Sequence, residues 1–174
     1  MEYSDGVGGV TFISSLAGGT GSGLTALIQS EFRSLYPSII VQNFRLVPSL
    51  DVYCHATEIY HTAFGMHQEV ECSDMTLLFD NSAVSQILAS ESSLRPSFQV
   101  MNKAIGSTIA DSTIPFRFKG DLNTSQRKMC MNLVMFPRMH FMPFARSTRG
   151  ALNVLSSALN PKNCFLSNTI EKHA

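Results

Sequence analysis

Two hydrophobic periods alternate along the chain. The first run, 7–16, reads Val7-Gly8-Gly9-Val10-Thr11-Phe12-Ile13-Ser14-Ser15-Leu16, a β-rich stretch that ends in a cluster of glycines. After the glycines, apolar residues at 24, 27, 28, 32 and 35 recur at the spacing of a helix face. Pro37 stops that helix, and 39–47 (Ile-Ile-Val-Gln-Asn-Phe-Arg-Leu-Val) predicts the next strand. Strand, glycine turn, helix, strand is a βαβ unit, which implies parallel strands joined by a right-handed crossover. The alternation continues with a helix over 58–71, a short buried strand over 75–79 and a short helix over 82–90. Beyond Pro96 a longer helix is predicted over 98–113, burying Val100, Met101, Ala104, Ile105, Thr108 and Ile109. A further helix follows over 124–134, then a strand beginning near Arg138 and running to Met142. Helices interleaved with hydrophobic strands define an α/β layered fold, a Rossmann-like parallel sheet with flanking helices. After Arg146 a stretch rich in Ser, Asn and Arg carries only a weak helical pattern over 151–159 and reads as loosely held.

Composition narrows the class. At 174 residues, 44% hydrophobic and 15% charged, the chain is of ordinary globular size and character. Thirteen Lys and Arg balance 13 Asp and Glu, so net charge gives no reason to expect nucleic acid or an anionic membrane as partner. No apolar run approaches the roughly 18 residues that span a bilayer, and the opening Met1-Glu2-Tyr3-Ser4-Asp5 does not read as a signal peptide. Four cysteines (Cys54, Cys72, Cys130, Cys164) lack metal spacing and read as free thiols of a reducing compartment. His61 and His67 are not spaced to share a helix face, so no metal site is expected. His140 reads as a strand residue packed on the core, and the methionines between 129 and 142 as core filling.

The strongest chemical signal is Ala17-Gly18-Gly19-Thr20-Gly21-Ser22-Gly23. Glycines let backbone amides approach an anion without an intervening Cβ, and a helix N-terminus adds unpaired N–H groups and a positive dipole end. Thr20 and Ser22 supply hydroxyls. No lysine stands where a Walker A loop requires one, so the loop alone is equally well a tight strand-to-helix turn.

The segment Gly-Gly-Thr-Gly-Ser-Gly, after Ser-Leu and before an aliphatic helix, resembles the signature of the tubulin and FtsZ superfamily. The order Leu46-Val47-Pro48-Ser49, Met66-His67-Gln68, Asp80-Asn81, Arg117-Phe118, Gly120-Asp121-Leu122-Asn123 and Asn132 through Pro143 is similar to the β-tubulin type. The resemblance implies a guanine-nucleotide-binding protein of the cytoplasmic microtubule cytoskeleton, with GTP or GDP held at a subunit interface. It implies a division into a partial nucleotide-binding domain, 1–118, and a partial intermediate domain, 119–174. It covers the middle of a tubulin chain, so the expectation is a chain truncated at both ends, with the family's magnesium ligand in the part before it. Residues matching the family's nucleotide contacts are Ser15, Gly18, Gly19, Thr20, Gly21 and Ser22 for phosphate, Asn81 and Asn102 for the base, and Phe98 for stacking. A family Asp near the ribose falls on Cys54, while Glu58 matches a family glutamate. Taken without the resemblance, Asn81 reads as a helix cap beside Ser82 and Asn102 as a solvated helical residue. Lys128, beside Arg127, stands where the α type carries an acid that promotes hydrolysis in the next subunit. Implied partners are an α-tubulin-like subunit and the microtubule lattice. The rival expectation is a degenerate interaction protein that no longer binds nucleotide.

Overall fold

The computed structural model describes residues 6–48, 55–92, 97–118, 120 and 124–144. Cys54, Pro96, residues 121–123 and the weak helix expected over 151–159 lie outside the described residues. Four strands, β1 (Gly9–Ser15), β2 (Ile40–Val47), β3 (Met75–Asp80) and β4 (Phe141–Pro143), form one sheet in the order β1-β2-β3-β4. Every pairing is parallel: Ser15 stands opposite Leu46, Val47 opposite Asp80, and Leu77 opposite Met142. Crossovers carry α1 (Thr25–Leu35) between β1 and β2, and α2 (Ala56–Cys72) between β2 and β3. α3 (Asn81–Ser92), α4 (Phe98–Arg117) and α5 (Gln126–Leu133) lie between β3 and β4.

Side-chain alternation in the strands gives the sheet two unlike faces. Phe44, Met75, Leu77 and Phe79 face α3 and α4, where Ala83, Val84, Met101 and Ile105 complete an apolar core joined at its margin by Met129 and Cys130 of α5. Fully burying each such side chain contributes about 1.5–3 kcal/mol. The opposite face, toward α1 and α2, buries polar side chains among apolar ones such as Val41 and Leu78. Asn43 accepts a hydrogen bond from Gln29 at 2.8 Å, and Arg45 pairs with Glu69. Arg33 ties the far end of this face together: its guanidinium donates to the carbonyls of Cys72, Pro37 and Ile39 and pairs with Asp74 at 2.8 Å.

Several expectations shift. The chain enters its helix four residues early, through a π-helical turn at Thr20–Leu24, because the small residues after Leu16 admit a wide turn. The apolar stripe of α1 faces outward: Leu24, Leu27, Ile28 and Leu35 are exposed, and the buried residue of that helix is Gln29. Val100 is exposed rather than buried, since α4 turns Met101, Ile105 and Thr108 to the core. Met131, Met135 and Met139 are also exposed, so only part of the methionine cluster fills the core. α4 continues past Thr113 to Arg117 despite Pro115. The proline removes one donor from the last turns, where Arg117 reaches back to the Ala110 carbonyl at 2.8 Å. His140 is fully buried, as expected, but lies just before β4, which starts at Phe141 rather than near Arg138; one ring nitrogen is against Pro137 O and the other 2.9 Å from Ser73 Oγ.

Candidate functional site

The glycine loop leaves β1 at the carboxyl end of the sheet. Leu16 is fully buried and its N–H donates to Leu46 O at 2.9 Å, which anchors the loop's start to β2. Gly18 takes φ of +87°, a left-handed conformation that L side chains rarely adopt. From there the chain curls so that Ser22 N–H and Ser22 Oγ both donate to Gly18 O, at 3.1 and 2.8 Å. The amides of Gly19, Thr20 and Gly21 therefore precede the first hydrogen bond of the turn, where N–H groups have no acceptor within the helix. Gly19 and Thr20 are exposed, and a methyl group on Gly19 would meet nothing within 4 Å. This first turn carries no acidic side chain to neutralise its positive dipole end. Gly21 is pressed against β1, its missing Cβ falling in contact with the Ser15 carbonyl. Ser15 itself donates through its hydroxyl to Leu46 O at 3.5 Å and accepts from Ala17 N–H at 3.2 Å. Ser22 is turned inward and buried, so its hydroxyl holds the loop's shape rather than facing solvent.

Two strands across, β3 ends at the same edge. Asp80 Oδ1 accepts from Ser82 N–H at 2.8 Å, so Asp80 caps α3 and Asn81 is not the cap. Among the described residues, the side chains of Asn81 and Asn102 have no hydrogen-bond partner. Asn102 and Phe98 stand one turn apart on the exposed side of α4, and Phe98 is 80% exposed. Met101, adjacent to Asn102, lies in the same apolar cluster as Ala83 and Val84, just beyond Asn81. Glu58 sits in the first turn of α2, which begins shortly after β2 reaches this edge. Among the described residues no group of three or more His, Cys, Asp or Glu could hold a metal ion.

Arg127 and Lys128 are carried elsewhere. Arg127 donates to Ser38 O at 2.7 Å, just before β2 begins, and Gln126 reaches Thr11 and Gln42. α5 thus starts toward the amino end of the sheet, away from the glycine loop by a strand length of roughly 20 Å.

Absent from the sequence reading is the buried pair beneath the loop. Arg45 and Glu69 are 1% and 0% exposed, and Arg45 also donates to Gly21 O at 3.1 Å. Burial pushes the Glu69 carboxyl up to about 7, against the pull of the Arg45 charge and the Thr76 hydroxyl. Burial likewise lowers Arg45, with Glu69 opposing. The available signal was the triplet Val41, Asn43, Arg45 on alternate positions of an otherwise apolar strand, facing a helix that offers Glu69.

The GTPase-domain model of the Tubulin/FtsZ family matches residues 1–89. Among curated proteins, a tubulin beta chain of Candida albicans is 38% identical over 141 residues, which cover 80% of this chain and 31% of that protein. A tubulin beta-2 chain of Geotrichum candidum is 34% identical over 174 residues, covering 93% and 38%. A tubulin beta-3 chain of Echinococcus multilocularis is 37% identical over 141 residues, covering 80% and 32%. The chain spans about a third of the length of these relatives.

Proposed function

Because the chain belongs to the Tubulin/FtsZ family, we propose that it is a tubulin-like guanine-nucleotide-binding protein of the cytoplasmic microtubule cytoskeleton, with GTP or GDP held where two subunits meet. The observation that carries this reading is the common edge shared by the glycine loop and Asn81, at the carboxyl ends of two parallel strands, β1 and β3, that flank β2. Ligands of open α/β sheets bind in that position. Amides of Gly19, Thr20 and Gly21 would take the phosphates, with Ser15, Gly18 and Ser22 shaping the turn. Each carboxamide of Asn81 and Asn102 offers a donor and an acceptor to a base edge, and Phe98 offers a π-face. On this reading a magnesium ion would enter together with the phosphates, as the family resemblance implies.

The partner proposed is an α-tubulin-like subunit within a microtubule lattice. With α5 toward the opposite end of the sheet from the glycine loop, Lys128 of one molecule can meet the nucleotide of another when subunits stack end to end. On this reading 1–118 forms the nucleotide-holding portion and 119–174 begins a second, intermediate portion. α5 presents Arg127 and Lys128 rather than a carboxylate, so hydrolysis would take its acid from a partner subunit.

Titrating the full chain with a fluorescent GTP analogue tests the reading. The expected result is micromolar binding displaced by GTP but not by ATP, with the preference for guanine reduced in Asn102→Ala. Absence of binding at high micromolar concentration overturns it and leaves the interaction-protein alternative.

A further inference from the structure

We propose that Arg45 is a positioning residue of the glycine loop: seated on Glu69, its guanidinium holds the Gly21 carbonyl and so fixes the direction of the amides just before it. The inference rests on the nucleotide reading above for its functional consequence, while its structural part stands on the contacts alone. Gly21 O receives two donors from neighbouring strands, Arg45 Nη1 at 3.1 Å and Ser14 Oγ at 3.4 Å. Ser14 and Arg45 are cross-strand partners in the β1–β2 register, so both donors come from one rung of the sheet. Against the same residue's Cα lies the Ser15 carbonyl, close enough that only glycine fits. Gly21 is thus fixed through both its carbonyl and its Cα, whereas Gly19 and Thr20 project into open space.

Glu69 makes this arrangement possible. A guanidinium 1% exposed requires a partner for its N–H groups, and the Glu69 carboxyl of α2 supplies it. Glu69 is in turn held by Thr76 Oγ1 at 3.5 Å, and its carbonyl accepts from Ser73 Oγ at 2.7 Å. Ser73 also contacts His140 at 2.9 Å. The clamp on the loop is therefore built on β3 and the start of β4, and it does not depend on the loop's own residues.

Removing Arg45 alone would leave Glu69 buried without its partner, a strongly destabilising change, so the test uses the pair. Arg45→Met with Glu69→Leu replaces two buried charges by apolar groups of similar volume and leaves net charge unchanged, an exchange that buried ion pairs tolerate. The expected result is a chain that still unfolds cooperatively in urea, faster amide hydrogen exchange confined to 17–23 in the nucleotide-free chain, and GTP affinity weaker by about tenfold, the scale of one hydrogen bond from a charged donor. Arg45→Lys, with Glu69 kept, restores a charged donor and should recover part of both losses. Unchanged exchange over 17–23 in the double variant overturns the proposal. If the wild-type chain binds no GTP, the nucleotide reading fails, and the exchange comparison still decides whether Arg45 holds the loop.

Discussion

Replacing Gly21 by alanine places a methyl carbon where the Ser15 carbonyl already lies: the oxygen is 2.2 Å and the carbon 3.1 Å from the ideal Cβ position. Both colliding groups are backbone, so neither can swing aside as a side-chain tip would. An ordinary contact needs about 1 Å more, and forced repacking of that kind costs about 1–3 kcal/mol. Moving Gly21 also draws its carbonyl away from Arg45 Nη1, now at 3.1 Å, and losing a hydrogen bond to a charged donor adds about 1.5–3 kcal/mol. The expected destabilisation is therefore about 2.5–6 kcal/mol, a large share of the roughly 5–15 kcal/mol that holds a domain folded. Gly19→Ala is the matched control. Gly19 has φ −65° and ψ −36°, and its added methyl would meet nothing within 4 Å. It should leave stability unchanged or raise it by about 0.4–1 kcal/mol, yet weaken GTP binding because the methyl stands among the amides. Urea unfolding followed by far-ultraviolet circular dichroism, paired with GTP titration, separates the two substitutions. A wild-type unfolding midpoint in Gly21→Ala would refute the close approach of loop and strand. Wild-type GTP affinity in Gly19→Ala would refute the orientation of the amides.

Glu69 predicts a pH dependence of stability. Its carboxyl titrates at 4.5 when unperturbed and at about 7 in the fold, so the folded chain holds a proton that the unfolded chain releases. Stability from this group is full below pH 4.5 and is lost as pH rises through 7, by about 1–3 kcal/mol. Urea midpoints at pH 5.5 and 8 should therefore diverge more in the wild type than in the paired variant Arg45→Met with Glu69→Leu, and parallel behaviour would contradict the shift. Arg33→Met should cost about 1–3 kcal/mol, because one guanidinium serves the carbonyls of Cys72, Pro37 and Ile39 and the Asp74 carboxylate. The conservative Asp74→Asn should cost less, since its amide oxygen can still accept from Val41 N–H, which now donates to Asp74 at 2.8 Å.

The βαβ order is legible in the sequence because β2 and β3 are strand-length runs rich in apolar residues and the glycines punctuate the first crossover. The loop's residues are legible for the same reason: a cluster of glycines between a strand and a helix has few other uses. The inward face of β2 was hidden by its composition. Asn43 and Arg45 are among the most buried side chains, and nothing in a single strand shows that its polar positions will be covered by Gln29 and Glu69 from two different helices. α1 misleads in the opposite sense, since helical spacing identifies a face without identifying what covers it. The capping role of Asp80 depends on where β3 stops, one residue beyond the predicted strand.

The strand order carries a consequence for how the chain is made. A parallel pair can form only after the crossover between its strands has been synthesised, but here each strand lies beside the one made before it. The sheet can thus be laid down vectorially as the polypeptide leaves the ribosome, with β2 recruited to β1 and β3 to β2 while later residues are still being added. The step that must wait is the arrival of β4, which brings His140 onto Ser73 and closes the network under Glu69. Until that segment has been made, Ser73 lacks its His140 partner and this end of the sheet stays open.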